Sequence, residues 1–158
     1  MKNTIYILLF FLIVSCNEEK DCLEYGGNSG LIEYEVDMGK CYSFLDTPYI
    51  LIADTNAYKK LPQYTNDSIQ QSLGCAPSPS RPDLNFDSIM LVGAKTEATG
   101  CIVTYERDIE FNSNNKIITY KIDVHQCGAC NETRFSMNWV AIEKIEDTED
   151  LEVMIDYY

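Results

Sequence analysis

The stretch CIVTYERDIEFNSNNKIITYKIDVHQC (101–127) constrains the fold more than any other part of the chain. Val103, Tyr105, Ile109 and Phe111 fall on one face of a strand, with Thr104, Glu106, Asp108 and Glu110 on the other. Ile118, Tyr120, Ile122 and Val124 repeat the period of two in the second arm. Strict alternation of this kind marks strands that are buried on one side only. Asn112-Ser113-Asn114-Asn115 is a four-residue turn candidate, because Asn tolerates left-handed backbone angles. With Phe111 facing Lys116, Ile109 faces Ile118, Tyr105 faces Ile122 and Val103 faces Val124. The apolar faces then coincide, and a slip of one residue would destroy the match. Arg107, expected opposite Tyr120, is the one charge on the apolar face, placed to snorkel outward or stack on that ring.

Other segments extend the β reading. LIEYEV (31–36) alternates, whereas YILIA (49–53) and SIMLVGA (88–94) are short continuous apolar runs of the fully buried type. FSMNWVAIEK (135–144) and LEVMIDY (151–157) read as two closing strands around an acidic loop, EDTED, with Trp139 as a core residue. That loop lacks the Gly-hinged spacing of a calcium site. DTNAYKKL (54–61), stopped by Pro62, and NDSIQQSL (66–73), ended by Gly74, are short helix candidates capped by Asp or Asn. APSPSRPD (76–83) is a connector that cannot occupy a central strand. The expected fold class is therefore mostly β, a β-sandwich or curled antiparallel sheet with one or two short helices.

The chain opens MKNTIYILLFFLIVSCNEEKDC. Ile5 to Val14 is ten residues long, roughly 15 Å of helix, against about 30 Å of hydrocarbon in a bilayer. The run is too short to span, and Lys2 precedes it as in a secretory signal. Ile13-Val14-Ser15-Cys16 resembles the lipobox of bacterial lipoproteins. The resemblance implies removal of residues 1–15 as a signal peptide and acylation of Cys16, with palmitate-type chains holding the protein at the membrane. Several chains at about 0.8 kcal/mol per buried CH₂ far exceed the marginal single-chain anchor. Residues 16–30 are then a polar tether and 31–158 an exported domain in the cell envelope. Outer-membrane attachment, on the periplasmic or the surface side, is the expected location.

About 140 residues remain after cleavage, enough for one domain with a real core. A formal net charge of −13 argues against nucleic acid or an anionic membrane surface as partner, and permits a basic protein. Besides Cys16 there are six cysteines, Cys22, Cys41, Cys75, Cys101, Cys127 and Cys130. An even set in an exported chain reads as a disulfide framework, and the pairing is open.

HQCGAC (125–130) is the one cluster with a reactive flavour. Cys127-x-x-Cys130 has the spacing of thioredoxin-like redox sites and of half a zinc site, with His125 as a further ligand candidate. A redox pair needs its first Cys at a helix N-terminus, and NETRFSMN shows no amphipathic helix. Ordinary disulfides near the open end of the hairpin are the simpler reading. Cys130, lying beyond the strand, is placed to loop back to Cys101, whereas a Cys101–Cys127 bridge would need a bulge. His125 has no Ser or Asp signature beside it, and no nucleophile elbow, zincin motif or phosphate loop occurs. No cofactor is implied.

From YILIADTNAYKKL onward, the order of elements over 48–157 is similar to the small exported domain of bacterial protease-complex partner proteins. That resemblance implies a domain that binds and stabilises a protease without catalysing anything. The expected function is a lipid-anchored, non-catalytic protein-binding module, a partner or inhibitor of a protease or of a cationic enzyme such as a lysozyme. A thiol–disulfide or metal-handling protein built on Cys127, Cys130 and His125 is the alternative.

Overall fold

The computed structural model describes residues 24–39, 47–61, 81–131, 133–146, 148 and 150–158. The described chain runs β1 (Gly27–Gly30), β2 (Ile32–Glu35), β3 (Tyr49–Ile52), α1 (Thr55–Lys59), β4 (Ile89–Thr99), β5 (Ile102–Asn112), β6 (Ile117–Cys127), β7 (Thr133–Glu143) and β8 (Asp150–Tyr157). The helix candidate at 66–73, most of the proline-rich connector and Cys16, Cys22, Cys41 and Cys75 lie outside the described residues. No helix among the described residues is long and apolar enough to cross a membrane.

The strands form two four-stranded sheets, ordered β1-β5-β6-β8 and β2-β7-β4-β3. The second is antiparallel throughout, whereas in the first both edge strands, β1 and β8, run parallel to their neighbours. Between the sheets lies the main core: Met90, Val92 and Ala94 of β4, Ile109 of β5, Ile118, Tyr120, Ile122 and Val124 of β6, and Val140 and Ile142 of β7. A second core lies on the far side of the β4 sheet, where Leu91, Trp139 and Ala141 meet Val36, Met38, Ile52, Tyr58, Leu61 and Phe86. The β4 sheet is thus covered on both faces, which is why its strands read as continuous apolar runs. Among the described residues, the β5–β6 sheet is covered on one face, and it alternates.

Helix α1 is the lid of the second core. Asp54 caps it, its Oδ1 accepting from the backbone N–H of Asn56 (2.8 Å) and Ala57 (2.9 Å). Its one buried side chain, Tyr58, stacks at a tilt on Phe86 and donates its hydroxyl to the Pro82 carbonyl. At the other end the Arg81 guanidinium donates to the carbonyls of Tyr58 and Leu61, covering acceptors that a helix terminus leaves open. Gly93 of β4 faces Trp139 of β7 in register, and a Cβ at Gly93 would collide with the indole ring. The missing side chain is what lets the tryptophan lie flat on the sheet.

The hairpin forms with the expected faces but a corrected register. Phe111 pairs with Ile118, Ile109 with Tyr120 and Tyr105 with Val124, two residues beyond the expected pairing. Asn112 stays in the strand and its Oδ1 accepts from Asn114 N–H, so the turn moves on by one residue and Lys116 takes the left-handed angle (φ 58°). A shift of two preserves every face. It places Arg107 opposite Ile122 and not Tyr120.

Strand β1 corrects the expected tether, which ran to residue 30. Its sequence, Gly-Asn-Ser-Gly, carries no apolar side chain. It is held instead by its parallel ladder to Glu106–Ile109, by the Ser29 hydroxyl donating to Asp108 Oδ1 (2.7 Å), and by Leu31 N–H donating to the Ile109 carbonyl (2.8 Å). Gly30 sits at φ 66°, with its missing Cβ directed at that same Ile109 carbonyl, so no other residue fits there.

Candidate functional site

The sequence places its reactive candidates at the open end of the β5–β6 hairpin, and the structure shows what becomes of them. Cys101 is disulfide-bonded to Cys130, with 4.9 Å between the Cα atoms. Gly128, at φ 81° and packed against the Cys101 side chain, turns the chain back so that Cys130 reaches it. Cys127 is disulfide-bonded as well, but Cys130 is already taken. The two cysteines of the C-x-x-C are therefore not each other's partners. Nor does a helix follow them, because the next element is β7. No group of three or more His, Cys, Asp or Glu side chains among the described residues is placed to hold a metal ion.

His125 is 14% exposed at its side chain and lies between two tyrosines. The Tyr25 ring stacks on it at 4.2 Å and 11°, and Tyr158 stacks on its other side at 5.3 Å and 19°. Its Nε2 approaches Glu106 Oε2 to 3.5 Å without forming a hydrogen bond. The three rings join segments far apart in sequence. Tyr25 precedes β1, and Tyr158 follows β8, where its backbone N–H donates to the Val124 carbonyl and its own carbonyl accepts from Gln126 N–H. Tyr25 and Tyr158 carried no signal in the sequence, since neither belongs to an alternating segment.

The rings stand at one end of the outer face of the β5–β6 sheet. Register brings Gly27, Glu106, Asp123 and Asp156 into one row across β1, β5, β6 and β8. Three carboxylates thus occupy adjacent in-register positions. Their field reaches the neighbouring phenol. Asp123 foremost, then desolvation and the charges of Asp156 and Glu106, hold the Tyr158 pKa above its usual value. A second row, Ser29, Asp108 and Lys121, lies alongside. The Lys121 ammonium leans toward Glu110, at 3.6 Å. Because β1 carries only hydrogen or short side chains, a shallow trough of 450 Å³ opens between it and the acidic side chains of β5 and β6.

On the inner face of the same strands, Arg107 is 11% exposed and anchors a polar chain between the sheets. Its Nε donates to Asn138 Oδ1 (3.0 Å), whose amide donates to Thr96 Oγ1 (3.0 Å), and its terminal nitrogen pairs with Glu35 (2.9 Å). The guanidinium lies over the Tyr105 ring at 5.1 Å. Of the two placements open to this cation, stacking is realised, on Tyr105 and not Tyr120.

Comparison of the chain with protein-family models, with curated proteins and with solved structures gives no match.

Proposed function

We propose that the chain is a lipid-anchored protein of the bacterial cell envelope, acylated at Cys16, whose β domain is a non-catalytic protein-binding module. The anchor rests on Ile13-Val14-Ser15-Cys16, a run too short to span followed by a lipidation-type cysteine. One observation carries the binding reading over its thiol–disulfide rival. Cys130 is bonded to Cys101, and Cys127 lies in a separate bridge, so the C-x-x-C serves as two staples. Redox exchange through this motif needs its two sulfurs to pair with each other. The described residues instead present an acidic sheet face with tyrosines at one end. A protease or a cationic enzyme as the bound protein is the partner class that the sequence resemblance and the charge suggest.

Two measurements test this. Cells expressing the chain are fed an alkyne-tagged palmitate, and label is expected on the wild type and absent from Cys16→Ala. The exported protein is also weighed intact, with and without alkylation under mild reduction. Resistant disulfides support the binding module. A bridge at Cys127 or Cys130 that opens well before the others, or a bound metal ion, overturns it in favour of thiol–disulfide or metal handling.

A further inference from the structure

Among the described residues, the β4 sheet is covered on both faces and the β5–β6 sheet on one. We infer that the uncovered face is a docking surface for a basic segment of another protein, with an arginine or lysine side chain seated in the trough beside β1. The inference rests on the protein-binding reading above and assigns it a surface and a partner chemistry.

Three features of the face select that occupant. The first is the row Glu106, Asp123 and Asp156, which lie directly opposite one another. Like charges at opposed positions work against sheet formation, so the row is a cost to the fold that burial of the other face must offset. A cationic partner removes the cost. The second is the trough, walled by Glu106, Asp108 and Asp123 and floored by Gly27 and Ser29. A side chain at Gly27 would fill this space, which is wide enough for a guanidinium. Two cations also line it, and both are engaged elsewhere: Lys121 leans toward Glu110, and Arg107 is tied to Glu35 and Asn138. The third is the tyrosine pair. They stack on His125 at 4.2 and 5.3 Å and stay exposed, at 46% and 66%, so their rings and hydroxyls are open to the cation–π and hydrogen-bond contacts a basic side chain makes. The charge repels phosphates and anionic lipid headgroups. The acidic row spans three strands, roughly 10 Å at ordinary strand spacing. That span fits a protein segment with several basic groups better than a single ion.

The test uses the full chain in neutral detergent with a hexa-arginine peptide as probe and hexaglutamate as control, titrated at physiological salt. Asp123→Asn and Glu106→Gln are compared with Glu97→Gln and Glu143→Gln, which remove the same charge from the β4 sheet. Each variant of the acidic row is expected to weaken hexa-arginine about five- to tenfold, and each β4-sheet variant less than twofold. Asp123→Asn is also expected to raise the thermal midpoint, because it breaks the opposed row. Equal losses in the two sets mean a diffuse charge effect and overturn the assignment. So does a row variant that unfolds, since the row would then be structural. A partner that cross-links in cells through the β4 sheet sinks this surface and leaves the binding module standing. Labile thiols at Cys127 or Cys130 sink the module itself.

Discussion

Tyr120 occupies the centre of the inter-sheet core, fully buried, with its hydroxyl lacking a hydrogen-bond partner. A buried hydroxyl without a partner costs about 1–3 kcal/mol relative to a satisfied one. Burial, opposed in part by Arg107 and aided by Glu35, pushes its pKa well above the usual value near 10. The sign follows from proton counting. Above about pH 10 the unfolded chain loses this proton while the folded chain keeps it, so stability falls as pH rises. Tyr120→Phe is therefore expected to be neutral or stabilising by up to about 1 kcal/mol at pH 7. The same variant should flatten the decline of stability between pH 10 and 11, measured by urea denaturation across that range. A loss of more than 1 kcal/mol at pH 7 would mean that the hydroxyl is satisfied after all. Arg107, on the same inner face, shows the opposite solution. Its guanidinium is bonded to Asn138 and Glu35 and stacked on Tyr105, so a charge on the apolar face becomes a cross-sheet tie.

At the scale of elements, the hairpin was legible because each arm carries four apolar residues at a period of two, and no helical face explains them. Its exact register was not, because two pairings differing by two residues bury the same side chains. The choice between them fell to an Asn112 side-chain bond that alternation does not encode. Strand β1 was illegible for a deeper reason. Gly-Asn-Ser-Gly has no burial pattern, and it is a strand only because β5 offers it a free edge and Gly30 can approach the Ile109 carbonyl. The route from Cys130 back to Cys101 could be read from the end of the strand, but Tyr25 and Tyr158 around His125 could not, since stacking across elements leaves no local trace. The Cys101–Cys130 bridge now has a defined role. It closes a loop with a sequence separation of 29 around the hairpin and its return. Chain-entropy arguments give a bridge of that span roughly 3–4 kcal/mol. The double variant Cys101→Ser/Cys130→Ser should lose about 3 kcal/mol by denaturant titration. Hydrogen exchange should rise first at residues 101–104 and 124–127, the open end of the hairpin, and remain slow around Ile109 and Tyr120. Uniform loss of protection would place the bridge's effect on the whole sandwich instead.

Over the whole molecule, 25 acidic residues oppose 12 basic ones, and three of the acidic ones stand in one in-register row on the outer face of β5, β6 and β8. The resolved ion pairs offset little of this excess. Lys121–Glu110 is exposed at 3.6 Å, the largely buried His125 meets Glu106 without a hydrogen bond, and Arg107–Glu35 joins a largely buried cation to an exposed carboxylate. Exposed pairs of this kind contribute about 0–1 kcal/mol, and screening weakens them. Repulsion among many like charges is screened too, and here it is the larger quantity. Raising sodium chloride from 0.01 to 0.15 M shortens the screening length from about 30 to about 8 Å, which is shorter than the acidic row. The melting temperature should therefore rise, by about 3–5 °C if the relief is near 1 kcal/mol in a domain of this size. Choline chloride should act like sodium chloride, since the effect is one of ionic strength and not of cation binding. In Asp123→Asn part of the relief is already built in, so the same salt step should raise its melting temperature less. A fall with salt in the wild type would mean that ion pairs, not repulsion, dominate the electrostatics of the fold. Binding of a basic partner must respond in the opposite sense, weakening over the same interval. A surface whose charge opposes folding and favours association is distinguished from a merely soluble one by that divergence.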